Sequence, residues 1–194
     1  MYLIIYFHTY FYCESFYNHF KGLIALDSEG EKALLYLNSS QNLWVLLKQK
    51  IIVFMTYALF TTLITQFVLY FLSGFNFYLL IWLLVGQTTS LLLFILFLVL
   101  PSVYNAHFNF FNIEQVGDFA DQKTTSSIIN LTITGGLIPL LMIPCIVYLF
   151  DSIDLIELAY INMSIIFIEL IAVVFLIYMF KRKVSSNNYF WGRY

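Results

Sequence analysis

Charged side chains are scarce in this chain: Asp, Glu, Lys and Arg make up 10% of its 194 residues, against 61% hydrophobic residues. So small a polar fraction cannot cover a water-facing surface, which excludes an ordinary soluble domain and makes lipid the expected solvent. Two cysteines are too few for a disulfide framework. The formal net charge of -2 gives no reason to expect a nucleic acid partner.

Lys and Arg are absent from four long apolar segments, residues 51–72, 77–100, 128–150 and 158–180. Each is long enough to cross a bilayer as a helix, which takes about 20 residues. Residues 1–20 are also largely apolar but carry interrupting polar side chains, and we interpret them as the inner part of a further membrane helix. The sequence therefore predicts an all-α integral membrane protein with four transmembrane helices and a partial N-terminal fifth.

The basic residues indicate the orientation. All nine Lys and Arg fall within residues 21–50, at Lys123, or within residues 181–193. Cytoplasmic loops collect Lys and Arg, so the connections 21–50 and 101–127 and the tail 181–194 are expected inside. The short turns that close the hairpins 51–100 and 128–180 are then outside, and the C-terminus is cytoplasmic. The abundance of Phe, Tyr, Ile and Asn is typical of an AT-rich bacterial genome, which suggests a bacterial cytoplasmic membrane.

The connection 21–50 is longer than a turn requires. Its second half, residues 33–47, consists of two apolar runs separated by the polar stretch 38–42. This pattern predicts a helix along the cytoplasmic membrane surface, with Tyr36 and Trp44 at the level of the lipid headgroups. Two interpretations remain open at this point: a segment that only anchors the chain, and a segment that contacts a partner.

Motifs for catalysis are missing. The sequence contains no H-x-x-x-H, C-x-x-C or G-x-S-x-G pattern, and no glycine-rich loop of the kind that binds nucleotide phosphates. The three histidines are too scattered to suggest a metal site. We therefore predict a non-catalytic membrane subunit without a cofactor, and any ATP hydrolysis is expected on a partner chain.

Glu169 is the most unusual residue, because it lies near the middle of the apolar segment 158–180. A charge at that depth costs about 2.5–3.5 kcal/mol on insertion scales, so its side chain is expected to face protein or water. Asn162 lies two turns earlier on the same helix face, and Gln66 is a possible partner at a comparable depth. A neutral Glu169 hydrogen-bonded between helices is an equally weighted alternative, and an intramembrane enzyme built on Glu169 and Asn162 is a distant one.

The segment 128–150 contains a combination of residues that interrupts helices, Gly135, Gly136, Pro139 and Pro144. Proline removes a backbone hydrogen bond and clashes with the preceding turn, so a kink or a break is expected here. Interrupted helices line pathways in some transporters, although Gly and Pro are also frequent in ordinary membrane helices.

Residues 27–50 resemble the cytoplasmic segment between the second and third spans of permease subunits of type-2 ATP-binding cassette (ABC) exporters. The match consists of an acid-glycine pair, a leucine pair, the ends of a Leu-x-x-Ser element and a lysine at the next span: Glu29-Gly30, Leu34-Leu35, Leu37, Ser40 and Lys48. Two positions depart from the pattern, since Asp27 stands where serine is expected and Asn38 where proline is expected.

The resemblance implies a coupling helix that docks on a separate ATPase and moves when ATP binds. The residues expected to take part are Glu29, Gly30, Asn38, Ser39 and Ser40. It also implies a second permease copy or homologue as partner, and export of a substrate that the sequence does not identify. Since such permeases usually have six spans, the chain is expected to begin within the second span, as a fragment, a truncated reading frame or a reduced member of the family. The alternative is a small multi-pass assembly or regulatory protein without transport activity.

Overall fold

The structure is a computed structural model, and it describes residues 14–20, 23–32, 43–73, 77–108, 115–150 and 153–185. Within these ranges the chain is helical and contains no strand, as predicted. The elements in chain order are α1 (residues 14–20), a 3-10 helix (Asp27–Lys32), α2 (Leu43–Ser73), α3 (Phe77–Tyr104), α4 (Ala120–Thr132), a π-helical turn (Ile133–Leu137), α5 (Ile138–Leu149) and α6 (Leu155–Val184).

Four stretches of helix are long and apolar enough to cross a membrane: Leu43–Thr65, Leu84–Tyr104, Ala120–Tyr148 and Ile156–Val184. Large apolar side chains cover the outward faces of α2 and α6, and Phe60 and Phe167 are both 65% exposed. An apolar surface of this extent is not stable in water, whereas lipid chains cover it without penalty. The four helices therefore indicate a multi-pass membrane protein.

Helix α3 is the centre of the bundle. It packs against α2, α4 and α6, and 61% of its membrane-crossing stretch is buried, against 22% to 24% for the other three. Leu91, Phe94 and Ile95 are fully buried along it. Any rearrangement of the bundle therefore has to involve α3.

Helix α2 begins at Leu43 rather than at residue 51, so Lys48 and Lys50 lie within it. Leu43, Leu47 and Phe54 are buried at helical spacing on one face, and lysine is a good helix former, so the helix extends through the basic positions. Residues 43–47, which we predicted as the end of a surface helix, are therefore the start of α2. The rest of that predicted helix, residues 33–42, lies outside the described residues.

The predicted interruption near Gly135 and Gly136 is a π-helical turn rather than a break. Pro139 cannot donate a backbone hydrogen bond to residue 135, and a wider turn accommodates that loss without ending the helix. The helix also begins earlier than predicted, at Ala120 rather than at residue 128. Asp121 and Lys123 therefore belong to helix α4 and not to the preceding connection.

Complementary charges mark the two ends of α6. Asp154 and Glu157 form a capping box at its start, and Lys181, Arg182 and Lys183 occupy its last turn. Both features favour the helix, because acidic groups suit the positive end of the helix dipole and basic groups suit the negative end. The cap also explains why α6 starts at Leu155, before the predicted residue 158.

Candidate functional site

Polar contacts concentrate at the end of the bundle where α2 begins, α3 ends and α4 begins. Residues 24–30, called the docked segment below, pack against this end. Four consecutive side chains of the segment, those of Ile24, Ala25, Leu26 and Asp27, are between 0% and 6% exposed. Ile24 and Leu26 belong to the same apolar cluster as Val103, near the end of α3. The docked segment is therefore part of the folded core rather than a free loop.

Lys50 of α2 holds the docked segment through three contacts. Its Nζ donates hydrogen bonds to the Ala25 carbonyl over 2.9 Å and to Ser28 Oγ over 2.7 Å. It also forms an ion pair with Glu29 over 2.8 Å, and the two side chains are 11% and 25% exposed. Because this pair is largely shielded from water, it is stronger than a typical surface ion pair.

Asp27 joins the docked segment to α4. Its Oδ2 accepts a hydrogen bond from Gln122 Nε2 over 2.5 Å and a longer one, 3.4 Å, from the backbone N–H of His107. Gln122 Nε2 also donates to the carbonyl of Asn105, just after α3, over 2.7 Å. Asp27 and Gln122 are 0% and 1% exposed. The two side chains thus connect the docked segment, the end of α3 and the start of α4.

Ser102 and Gly30 complete the attachment. Ser102 Oγ, near the end of α3, accepts a hydrogen bond from the backbone N–H of Leu26 over 3.3 Å and donates to the Val99 carbonyl over 2.8 Å. Gly30 has φ 54° and ψ -140°, a conformation that only glycine adopts without strain. The docked segment therefore turns at Gly30, immediately after the Glu29 ion pair.

The electrostatics of the site single out Asp27. The surrounding acids have basic partners: Glu29 pairs with Lys50, Asp118 with Lys123 over 3.7 Å, and Asp121 with the His107 side chain over 2.9 Å. Among the described residues no Lys or Arg pairs with Asp27. Burial raises the pKa of the Asp27 carboxyl above its ordinary value, although the hydrogen bonds from Gln122 and His107 act in the opposite direction.

A cavity of about 360 Å³ adjoins the site. Its lining includes Tyr17 and Asn18 of α1, Asp27, Ser102, Gln122 and Asn130. Asn130 Nδ2 donates to Glu14 Oε1 over 2.9 Å, which ties α1 to α4 beside the cavity. In the described part of the chain no cluster of His, Cys, Asp and Glu could hold a metal ion.

The predicted coupling residues are only partly described. Glu29 and Gly30 lie in the docked segment, whereas Asn38, Ser39 and Ser40 lie outside the described residues. Gln122 and Ser102 were not predicted from the sequence, in which Asp27 stood out as a departure from the expected serine. One feature of the sequence could have indicated that Asp27 is buried. It ends the apolar run Leu23-Ile24-Ala25-Leu26, and a run of that kind is commonly buried.

Glu169 forms a second polar site, between α3 and α6. It is 4% exposed and accepts hydrogen bonds from Ser90 Oγ over 2.7 Å and from Thr89 Oγ1 over 2.8 Å. The expectation that this side chain faces protein is therefore confirmed. Asn162 is not hydrogen-bonded to Glu169 in the described part of the molecule, and the side chain of Gln66 lies outside it. A functional role for these three residues stays a prediction.

Comparison with protein-family models, with curated proteins and with solved structures gives no match. The class that the fold defines is a multi-pass membrane protein with at least four apolar helices. Any more specific function has to be argued from the docked segment and from the polar contacts that hold it.

Proposed function

We propose that the chain is the transmembrane permease subunit of an ABC exporter, which moves a substrate across a bacterial cytoplasmic membrane using ATP hydrolysed by a separate ATPase. One observation carries the proposal. The docked segment, which overlaps the stretch that resembles a coupling region, is bonded to α2 through Lys50, to α3 through Ser102 and to α4 through Gln122.

Such contacts suit the transmission of a movement. A partner that pushes or pulls on Glu29, Gly30 or the residues that follow them acts on a segment with buried links to three helices. Because α3 packs against α2, α4 and α6, a shift at its end changes the whole bundle. Transport would then follow from a two-state rearrangement driven by the nucleotide cycle of the ATPase.

The proposal includes an orientation and a second permease copy or homologue. Lys21, Lys50, Lys123 and the basic tail 181–193 would face the cytoplasm, as the distribution of Lys and Arg favours. The docked segment would then lie on the cytoplasmic side, within reach of a soluble ATPase. The stretch 38–42, with Asn38, Ser39 and Ser40, would provide the contact surface.

The same contacts also favour one alternative, a small multi-pass assembly or regulatory protein. In that case the Lys50 and Gln122 bonds would only fix the docked segment to the bundle, and the stretch 33–42 would be an anchor. No ATPase would then depend on this chain.

The test is co-expression with the ATPase encoded by the adjacent gene, followed by purification through a tag on this chain. We expect the two proteins to co-purify, and we expect ATP hydrolysis in lipid nanodiscs to exceed that of the ATPase alone. The alternative would be favoured if the neighbouring genes encode no ATPase with a nucleotide-binding loop. It would also be favoured if the hydrolysis rate of the ATPase does not change when this chain is present.

A further inference from the structure

The hydrogen bonds around Asp27 leave two buried acceptor atoms unfilled. Asp27 Oδ2 accepts from Gln122 Nε2 and from the His107 N–H, but Asp27 Oδ1 has no hydrogen-bond partner among the described residues. Gln122 Oε1 likewise has no hydrogen-bond partner among the described residues. Native proteins rarely leave buried polar atoms of this kind without a partner, so each of the two oxygens needs a hydrogen-bond donor.

The orientation of the Gln122 amide is fixed by its neighbours. Its two N–H bonds are used by Asp27 Oδ2 and by the Asn105 carbonyl. Exchanging nitrogen and oxygen would place Oε1 against two acceptors, so the amide oxygen has to be the atom without a partner. The pair therefore has two spare acceptors and no spare donor.

One proton corrects this imbalance. A proton on Asp27 Oδ1 turns that oxygen into an O–H donor. On the adjoining side chain, Gln122 Oε1 is an acceptor that lacks a donor. A neutral carboxyl and a primary amide can then form two opposed hydrogen bonds, with the amide N–H donating to Oδ2 and the carboxyl O–H donating to Oε1.

The charged groups around Asp27 do not replace the proton. Lys50 of α2 already bonds the docked segment, through Glu29, Ser28 and the Ala25 carbonyl. The His107 side chain bonds Asp121. Lys123 pairs with Asp118. From α1 the cavity is faced by Tyr17, a neutral phenol near neutral pH. Burial is the largest influence on the pKa of Asp27 and raises it, although the attraction of the His107 side chain acts in the opposite direction.

We propose that Asp27 and Gln122 form a proton-binding site that closes the docked segment onto α4. The proton comes from solvent through the adjoining cavity, whose lining also includes the exposed side chains of Asp118 and Lys123. Removing it leaves an uncompensated carboxylate in a buried position and weakens the closed arrangement. The site does not depend on the proposed transport function, since it follows from the contacts of the pair alone.

The sign of the pH dependence follows from linkage. An acid whose pKa is raised by folding stabilises the folded arrangement fully at a pH below the ordinary carboxyl pKa. Between the ordinary and the raised pKa this contribution decreases with rising pH, because the folded arrangement still holds a proton that the open state has already lost; above the raised value it is gone. Opening of the docked segment should therefore increase with pH, by up to about tenfold per pH unit within that window.

The direct test is infrared spectroscopy of the protein in lipid nanodiscs over a pH series, comparing the unaltered chain with Asp27→Asn. All proteins in this comparison also carry Glu169→Gln, because Glu169 is a second buried acid whose neutral form would give the same band. Above the ordinary pKa of Asp we expect the carbonyl band of a neutral carboxylic acid when Asp27 is present, and we expect Asp27→Asn to lack it. Asp118→Asn is the matched control, because Asp118 lines the same cavity but is exposed and paired with Lys123; it should retain the band. A band that is unaffected by Asp27→Asn, or that disappears at the ordinary pKa of Asp, would overturn the proposal.

Hydrogen exchange at residues 24–30 provides an independent measurement that needs no variant. After correction for the intrinsic effect of pH, exchange there should accelerate with pH relative to the capped helix α6. Asp27→Asn, whose amide is neutral at every pH, should show no such acceleration. Equal behaviour of the docked segment and α6 in the unaltered chain would contradict the proton site even if Asp27→Asn did not fold. Neither measurement involves the ATPase, so failure here leaves the proposed function untouched, and the reverse also holds.

Discussion

Ser90 of α3 donates a hydrogen bond to Glu169 of α6 over 2.7 Å, and this contact links the central helix of the bundle to the last one. The neighbouring Thr89 bonds the other carboxyl oxygen. Both hydroxyls also lie within reach of the Gly86 carbonyl, at 3.0 Å from Ser90 and 2.9 Å from Thr89. Each hydroxyl can therefore donate either to Glu169 or to its own helix, which allows Glu169 to be satisfied with or without a proton.

The first prediction concerns this contact. Ser90→Ala should lower the free energy of unfolding in detergent by about 0.6 kcal/mol, the usual strength of a hydrogen bond between membrane helices. Glu169→Leu removes both contacts and should cost about twice as much, whereas Glu169→Gln should be tolerated for insertion. Thr88→Val is the matched control, because the Thr88 hydroxyl bonds only the Val85 carbonyl among the described residues. A Glu169→Leu protein that matches the unaltered chain in stability and assembly would show that Glu169 has no special role.

The second prediction concerns Lys50. Lys50→Met keeps the aliphatic stem but removes two hydrogen bonds and the ion pair with Glu29, so the docked segment should lose about 2 kcal/mol of stabilisation. Lys48→Met, at an exposed position on the same helix, should have little effect. Hydrogen exchange at residues 24–30 measures the difference directly. Equal exchange in the two variants would mean that Lys50 does not hold the segment.

The third prediction is the orientation of the helices. A cysteine at position 152 should react with a membrane-impermeant thiol reagent in intact cells, and a cysteine at Ser185 should react only after the cells are opened. The reason is the absence of Lys and Arg from residues 151–157 and their concentration after residue 180. The opposite labelling pattern would invert the topology.

The fourth prediction concerns the π-helical turn. A Cβ atom added at Gly135 meets no atom within 4 Å, and its backbone does not need a positive φ. Gly135→Ala should therefore raise the free energy of unfolding by up to about 1 kcal/mol, because alanine favours helix over glycine. Thermal unfolding in detergent provides the measurement. A clear loss of stability would indicate that this face is covered in the protein's working assembly.

The sequence allowed much of the helix pattern to be predicted, because the absence of charge over about 20 residues is a strong signal for a membrane span. The start of α3 at Phe77 agrees with the prediction. The starts of α2 and α4 were placed too late, because lysines and polar residues near membrane helices continue the helix as readily as they end it. Local hydropathy does not show whether a lysine or polar residue continues a helix or ends it.

The polar site could not be predicted in the same way. Asp27 and Gln122 are 95 positions apart, and only the packing of the docked segment against α3 and α4 brings them together. Each residue alone is unremarkable in a polar connection. Glu169 was recognisable because its surroundings in sequence are apolar, but its partners Thr89 and Ser90 were not, since hydroxyl residues are common in membrane helices.

We propose above that the segment from Glu29 to Ser40 transmits the action of an ATPase to the bundle. The decisive measurement is the ATP hydrolysis rate of the complex in nanodiscs for Ser39→Phe and Glu29→Lys, together with the amount of ATPase that co-purifies. Glu29→Gln controls for loss of the Lys50 ion pair alone, and Trp44→Ala tests the anchor interpretation. We expect Ser39→Phe and Glu29→Lys to release the ATPase or abolish its stimulation while membrane insertion stays normal, and we expect Trp44→Ala to have the smaller effect. Normal retention and stimulated hydrolysis in both Ser39→Phe and Glu29→Lys would contradict it.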